Sequence, residues 1–479
     1  PVLPSDFPIE SLANDETKLR EIVQKAKDWA LMHGVAMKSK IDFNDDTIQF
    51  APFILTPSSF PRKEFEKAVK LQPILNELMH AVAHDTDFLR SVLSSTNKGD
   101  PFTAHLFELY DEVLKEGVTQ SITLNLLRSD YLAHYLDNNK ILQVEINTIA
   151  SSFGGISTSM KAFHSYVLQE LGHGGKLKNL PENFALSGLC NAMLEAWNIK
   201  NIPDAVILFV IEDITYNICD QRFHEFYIRE NNPNVRVIRK TLTEIYEQGK
   251  LDQNKELVID NMVVSVVYFR AGYTPDHYPT KKEWDARLLV ERSNAIKCPT
   301  INYHLAGTKK IQQALAKPGI LKRFISDEKK IEAISEIFTG LYSLDKNEGG
   351  DESIKLALSN PENYVLKPQR EGGGNNVYGG DIPGVLEKMT DSERAAWILM
   401  ERIFPPISKG FMIRPGGDPI PKIVDLVSEL GIFGAIIGSK DKIIYNSQVG
   451  HMLRTKLSTA DEGGVAAGLG ALDSPYLIE

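Results

Sequence analysis

The sequence predicts an α/β fold with mixed sheets, on three observations. "DAVILFVIED" is a short continuous apolar run, the mark of a strand buried on both faces of a parallel sheet. "KELVIDNMVVSVVYFR" reads as two strands around an Asp-Asn turn. Leu19, Ile22, Val23, Ala26, Trp29 and Ala30 recur at the i, i+3, i+4 spacing of an amphipathic helix.

In chain order, that helix runs from Asn14 to Met32, with Gly34 as its stop. A second helical region covers "RKEFEKAVKLQPILNELMHAVAHDTDFLRSVL". "KILQVEINTIASSFGG" is a strand that breaks into a Ser/Gly loop, and helices follow from about Met160 to Ile199. The texture changes near Ile202, and 202–300 reads as a compact α/β unit. From "GTKKIQQAL" onward the pattern is helix, strand and glycine loop, helix, then several strands: "FMIRP", "VDLVSELGIFGAIIG", "KIIYNSQVG" and "HMLRTKL". "EGGVAAGLGAL" is a second glycine-rich loop. The expected division is 1–201, 202–304 and 305–479.

Composition narrows the function. A chain of 479 residues is long for one core. Its net charge of −10 argues against nucleic acid as the main partner, since a phosphate backbone needs a basic surface. Cys190, Cys219 and Cys298 are far apart and form no CxxC pair, which argues against a disulfide framework or a zinc site and fits a reducing compartment. No apolar run reaches the length of a membrane span, so no membrane partner is expected. The opening "PVLPSDFPIE" has no signal-peptide apolar region and no initiator Met. A cytoplasmic location is the expectation, with a removed leader left open.

No Walker A loop, G-x-G-x-x-G, H-E-x-x-H or G-x-S-x-G motif is present. What remains are polar groups at strand ends. In "LQVEINTI", Glu145 and Asn147 share one strand face. A hard cation such as Mg²⁺ would satisfy both; so would a sheet-edge salt bridge or a solvent-facing side. In "YVLKPQREGGG", Lys367, Gln369 and Glu371 share parity if the strand holds past Pro368. Lys367 then suits phosphate, Glu371 suits metal, and Gly372, Gly373 and Gly374 suit a phosphate-facing loop or a lid. The alternative is a flexible surface turn. Glu429 lies inside the apolar run "SELGIF", as a ligand group or half of a buried ion pair. Arg454 and Lys456 share a strand face in "MLRTK", either facing an anion or as a solvated basic edge. Lys309 sits in the first turn of a helix starting at Thr308, where a cation is mildly unfavourable. A bound nucleotide phosphate would account for it, and so would chance. Taken together, the set reads as a Mg²⁺–nucleotide site built without a P-loop.

"KPQREGGGNN", "VEINTI", "RSDY", "CDQR", "YFRAGY", "LAGTKKIQQ", "ILME", "SELGIFG", "MLRTK" and "GGVAAG" together resemble the eukaryotic glutathione synthetases, over about Ala51 to Leu472. The resemblance implies an ATP-grasp fold with mixed and antiparallel sheets, glycine-rich lid loops and an inserted α/β substrate-binding domain at 202–304. On it, 1–201 and 305–479 form the core and its nucleotide-binding part. It implies a ligase that uses ATP and Mg²⁺ to join γ-glutamylcysteine to glycine, acting as a homodimer. Glu145, Asn147 and Glu371 match the Mg²⁺ ligands. Lys309, Lys367, the Glu371–Asn376 loop with Gly372, Gly373, Gly374 and Asn375, then Tyr378, Met400, Glu401, Arg402, Ile403, Glu429, Lys456 and Glu462 match the nucleotide site. Arg128, Asn217, Gln221, Arg270, Tyr273, Arg454, Val465 and Ala466 match the peptide and glycine sites. Ile149, Ala150, Ser151, Ser152, Thr215, Tyr216, Ala271 and Gly272 belong to the same substrate segments. Arg128, Lys309, Lys367 and Arg454 are the expected catalytic set.

Four positions depart from the family pattern. Ala150 stands for a usual Ser, Thr215-Tyr216 for Glu-Arg, Ala271 for a polar residue and Glu462 for Asp. Three of the four lie toward the acyl donor, so weak γ-glutamylcysteine binding is expected. The other readings are a ligase with a changed donor peptide, or a non-catalytic binding protein on the same scaffold.

Overall fold

The computed structural model of the protein describes residues 1–371, 373–465 and 470–479. Its centre is a mixed sheet of eight strands. Four of them carry the site: β1 (Thr123–His134), β2 (Lys140–Asn147), β3 (Val424–Gly438) and β4 (Ile443–Leu457). They lie antiparallel in the order β4-β3-β1-β2. "KIIYNSQVG" and "HMLRTKL", expected as separate strands, are the single strand β4; Gly450, at φ +94°, lets it pass the start of the helix Ala185–Lys200.

Side-chain alternation decides what each face of this sheet does. One face is largely apolar: Leu127, Tyr131, Ile146, Leu430, Ile432 and Leu453 join a core that includes the helix Arg62–Ala83. The other face changes character along the strands. At one end Leu124, Leu126, Phe433 and Ala435 pack with the helix α1 (Gly154–Glu170) and the helix Ala185–Lys200. Further along the same parity come Arg128 and Asp130 on β1, Gly431 and Glu429 on β3, and Arg454 and Lys456 on β4. Asn147 and Glu145 lie opposite Arg128 and Asp130 on β2.

A second sheet is built wholly from 206–298. Val206–Val210 is buried throughout and pairs in parallel with Arg236–Lys240 and Met262–Phe269, as its apolar run predicts. Leu257–Ile259 returns on Met262–Phe269 through Asp260 and Asn261, both at positive φ, the conformation a two-residue hairpin turn needs. A third, small antiparallel sheet runs Leu341–Ser343, Trp397–Glu401, Tyr364–Pro368 and Val377–Tyr378 around its own core of Leu344, Leu366, Ile382 and Leu399. It covers the charged end of the central sheet.

The N-terminal helix runs Glu16–Met32, not from Asn14. Asp15 caps it by accepting from the Lys18 N–H, and Asn14 closes a preceding short helix, Ile9–Asn14. Among the described residues no helix is long and apolar enough to cross a membrane.

Candidate functional site

The charged patch of the central sheet forms the floor of a cleft of about 440 Å³. The small sheet and the helix α2 (Lys309–Leu315) bring its remaining walls. α2 starts where the sequence predicts, with Thr308 in the N-cap position. The reason for a lysine in its first turn is an acid across the chain. Lys309 Nζ lies 2.7 Å from Glu145 Oε2 and 3.8 Å from Glu371 Oε1.

Lys367 comes from the strand Tyr364–Pro368, and its Nζ donates to the Val144 carbonyl at 2.9 Å. The strand ends at Pro368, so the parity expected of Lys367, Gln369 and Glu371 does not hold. Gln369 turns to accept from the Lys310 N–H and to donate to the Ala396 carbonyl. Arg370 reaches out to Asp100 at 2.9 Å, and Glu371 reaches Lys309 from the loop.

Burial and charge act against each other here. Burial works to raise the Glu145 carboxyl, but Lys309 and then Lys367 hold it well below the usual range. Burial raises the Glu371 carboxyl; Lys309 opposes it, while Glu145 and Asp130 push the same way. Burial lowers the Lys367 ammonium to about 8. Two acids with opposite shifts around one lysine are a pair that a second cation would relieve.

On β1 the Arg128 guanidinium grips Asp130, with Nε at 2.7 Å and Nη2 at 3.1 Å, and donates to the Ser152 carbonyl at 3.0 Å. Arg454 pairs with Glu429 at 2.6 Å and with Asp130 at 3.5 Å. Glu429 is thus half of a partly buried ion pair at the cleft wall, which leaves both readings of its setting open. Lys456 donates to the Asp461 carbonyl at 2.7 Å. Across the mouth, the Glu462 carboxylate accepts from the Gly374 N–H and, at 3.4 Å, from the Tyr378 hydroxyl. Gly373 and Gly374 hold φ near +75° and +78°, which few other residues adopt cheaply. Arg402 pairs with Asp461 at 3.1 Å and lies over the Tyr378 ring.

Of the expected residues, Ile149, Ala150, Ser152, Tyr273, Asn375, Asn376, Met400, Glu401, Ile403 and Val465 also line the cleft. Gly372 and Ala466 lie outside the described residues. Ser151, Thr215, Tyr216, Asn217, Gln221, Arg270, Ala271 and Gly272 are off its wall. Arg270 is joined to it through Ser152: its Nη2 donates to Ser152 Oγ at 3.2 Å and pairs with Asp220 at 3.0 Å. Asp220 in turn accepts from the Phe153 and Ile156 N–H groups and so satisfies the start of α1. The Arg270 Nε and Nη1, Asn217 Oδ1 and Gln221 Oε1 atoms are buried without a hydrogen-bond partner. Such groups are costly to leave unmet and fit a polar ligand beside them. Thr215 accepts from Arg239, and Tyr216 packs toward Phe43 and Lys40.

Asp130, Arg370 and Asp461 were missed in the sequence. Asp130 had a signal: an acid two residues after Arg128 on one strand shares its face.

Among the described residues no three His, Cys, Asp or Glu side chains cluster as a metal centre on their own. Glu145, Asn147 and Glu371 offer two carboxylates and an amide, a hard-oxygen set that phosphate oxygens would complete.

The family described as eukaryotic glutathione synthase, ATP binding domain, matches residues 16–477. The chain is 44% identical to the glutathione synthetase of Xenopus laevis over 474 residues, covering 98% of this chain and 99% of that one. It is 42% identical to the glutathione synthetase of Homo sapiens over 473 residues, with the same coverage. It is also 42% identical to the chloroplastic glutathione synthetase of Solanum lycopersicum, covering 97% of this chain and 85% of that one. Among solved structures it is similar to a glutathione synthetase-like effector from Globodera pallida in its apo form. That match has a TM-score of 0.79 and 26% identity, and covers 99% of this chain and 100% of that one.

Proposed function

The chain belongs to the eukaryotic glutathione synthase family and is an ATP-dependent ligase that makes glutathione; on that premise we propose how its residues divide the work. The fold is the family's mixed α/β, ATP-grasp type. Among the described residues nothing favours a different donor peptide or a non-catalytic binder: Thr215 is taken up by Arg239 and Tyr216 packs toward Phe43 and Lys40, while Ala150 lines the cleft as the expected Ser would.

The single observation that carries the reading is the pairing of Lys309 with both Glu145 and Glu371 beside Lys367, over a floor holding Arg128 and Arg454. A carboxylate is a poor electrophile. Its oxygen attacks the γ-phosphorus of ATP, ADP leaves, and an acyl phosphate forms. The glycine amine then attacks the carbonyl carbon, loses a proton, and inorganic phosphate departs as the amide forms. Lys309 and Lys367 face the phosphate oxygens, where negative charge moves during transfer. Arg128 and Arg454 hold carboxylate and acyl oxygens by charge-assisted donation. Mg²⁺ held by Glu145, Asn147 and Glu371 would neutralise phosphate charge. Met400–Ile403 hold the base, and Glu429, Lys456, Glu462, Tyr378 and the 371–376 loop enclose the phosphates and exclude water. Arg270, Asn217 and Gln221, with their unmet polar atoms, take the γ-glutamyl end through Ser152, and Val465 faces the glycine end.

We further propose a homodimer. Met32, Ile41, Phe43 and Ile48 expose apolar surface between the N-terminal helix and the second sheet, beside Tyr216, and a second copy would cover them. The unit 202–304, with a sheet of its own, is proposed as the substrate-binding domain. The free cysteines of the chain, Cys190, Cys219 and Cys298, support a cytoplasmic location.

The test is ADP release by the purified protein given ATP, Mg²⁺, γ-glutamylcysteine and glycine. Release that needs both amino-acid substrates, with glutathione as product, is expected. Tight ATP binding with no turnover on any peptide would sink it. Sedimentation of the wild type and of Ile41→Asp tests the dimer.

A further inference from the structure

We propose that Asp130 is a positioning residue that sets the polarity of Asn147, so that an amide oxygen and not an amide N–H faces the cation. The inference rests on the reading that Glu145, Asn147 and Glu371 hold Mg²⁺.

Asp130 is 1% exposed and does not line the cleft. Among the described residues its carboxylate is met only by donors. Arg128 Nε and Nη2 reach it at 2.7 and 3.1 Å, Asn147 Nδ2 at 2.9 Å, and Arg454 Nη2 at 3.5 Å. Asn147 spends its second amide hydrogen on the Arg128 carbonyl at 3.1 Å. Both partners of that NH₂ group, a carboxylate and a backbone carbonyl, can only accept. Turning the amide over would set its oxygen against two other oxygens. The orientation of Asn147 is therefore dictated by the network. Its Oδ1 is left for the cleft that Asn147 lines. A hard cation takes oxygen and not N–H, so the acid behind Asn147 decides whether that residue can serve as a ligand.

The same carboxylate holds Arg128 and Arg454 near each other without their charges meeting unopposed. Gly431 on β3 makes the room: a Cβ there would lie 2.7 Å from Arg128 Cδ and 3.0 Å from Asp130 Oδ1. A plain buried ion pair, present for stability alone, would need neither the amide contact nor the free Oδ1.

The experiment measures binding of Mn²⁺, as a spin probe, to the full chain with the β,γ-imido analogue of ATP. In Asp130→Asn both residues are amides, and only the Arg128 carbonyl still requires the Asn147 NH₂ group to face it. Its Mn²⁺ affinity is expected to fall about 10–100-fold. The exchanged pair, Asp130→Asn with Asn147→Asp, restores one acid and one amide in contact. It is expected to recover most of the affinity, because a carboxylate at 147 presents oxygen to the cation whichever way it turns. Asp130→Asn that binds Mn²⁺ as the wild type does overturns the inference. So does an exchanged pair that stays as weak as the single change. If Asp130→Asn does not fold, the exchanged pair decides by itself: near-wild-type affinity supports the assignment, and a loss of about tenfold or more ends it. A wild type that takes up no Mn²⁺ overturns the metal reading, and this inference with it. Mn²⁺ binding that survives only the loss of Asp130, and not Glu371→Gln, overturns this inference alone.

Discussion

Glu371 shows how much a single residue here depends on neighbours the chain does not place beside it. Its carboxyl is buried, shares Lys309 with Glu145 and follows a strand that has already ended. Glu371→Gln keeps the shape and removes the charge. Folding should be intact by circular dichroism, and the turnover rate should fall roughly a thousandfold, about 4 kcal/mol of transition-state stabilisation. Gly431 makes the complementary case. Gly431→Ala puts a methyl group against Arg128, which has to shift. Displacement of that order costs catalysis more than stability, so kcat/KM should drop by about a hundredfold while the melting temperature moves by only a few degrees. Wild-type kinetics in Gly431→Ala would show that Arg128 does not need its present place. Part of this was legible. Strand alternation alone put Glu145 and Asn147 on one face, and it was right. Alternation failed at Gln369 and Glu371 because Pro368 ends the ladder, and a loop residue's direction is not periodic. Lys309 was read as oddly placed, and it was; the compensating acid, Glu145, lies 164 residues away and no local rule points to it.

At the scale of the element, the strand Gly470–Asp473 carries an acid that no cation among the described residues pairs with. Asp473 is buried, accepts from Ser58 Oγ, Thr455 Oγ1 and two backbone N–H groups, and burial raises its carboxyl to about 7. In the unfolded chain the same carboxyl titrates near 4. Below that value both states hold the proton and no penalty arises. As pH rises toward 7 the unfolded chain releases its proton first, and folding loses about 1.4 kcal/mol per pH unit from this group. Asp473→Asn removes the term. Urea unfolding from pH 4 to pH 8 should show a flatter fall in stability for the variant than for the wild type, and parallel curves would refute the assignment. Elements were the most readable level of this chain. The helix of 16–32, the buried parallel strand of 206–210 and the hairpin at Asp260-Asn261 all follow from period, length and turn chemistry. The splitting of β4 into two strands was an error of the same method: a glycine inside a strand pattern reads as a break, and Gly450 is instead a close approach to Ala185.

The whole molecule depends on how the small sheet is tied to the rest. Its ties include Lys310 to Asp345 at 2.6 Å, Thr96 Oγ1 to the Ala395 carbonyl at 2.9 Å, and Arg370 to Asp100 at 2.9 Å. Arg370 is the tie next to Glu371. Arg370→Met keeps an apolar stem and drops both the ion pair and the guanidinium that lies over the Phe102 ring. The KM for ATP should rise several-fold, with kcat for saturated enzyme changed much less, and an unchanged KM would remove Arg370 from the account. None of these ties could be read from the sequence, because each joins segments whose meeting depends on the complete fold. The pairing of β1 with β3 is the extreme case, and it bears on how the protein is made. Thr123 and Gly438 are bonded across 315 residues of chain. A ribosome adding roughly 5–20 residues per second leaves the edge of β1 unpaired for about 15–60 s. Until β3 arrives, the newborn chain shows an open strand edge to every other chain in the cell, and its acids have no Arg454 beside them. A message cut short before β3 therefore yields a sticky fragment, not a weak enzyme.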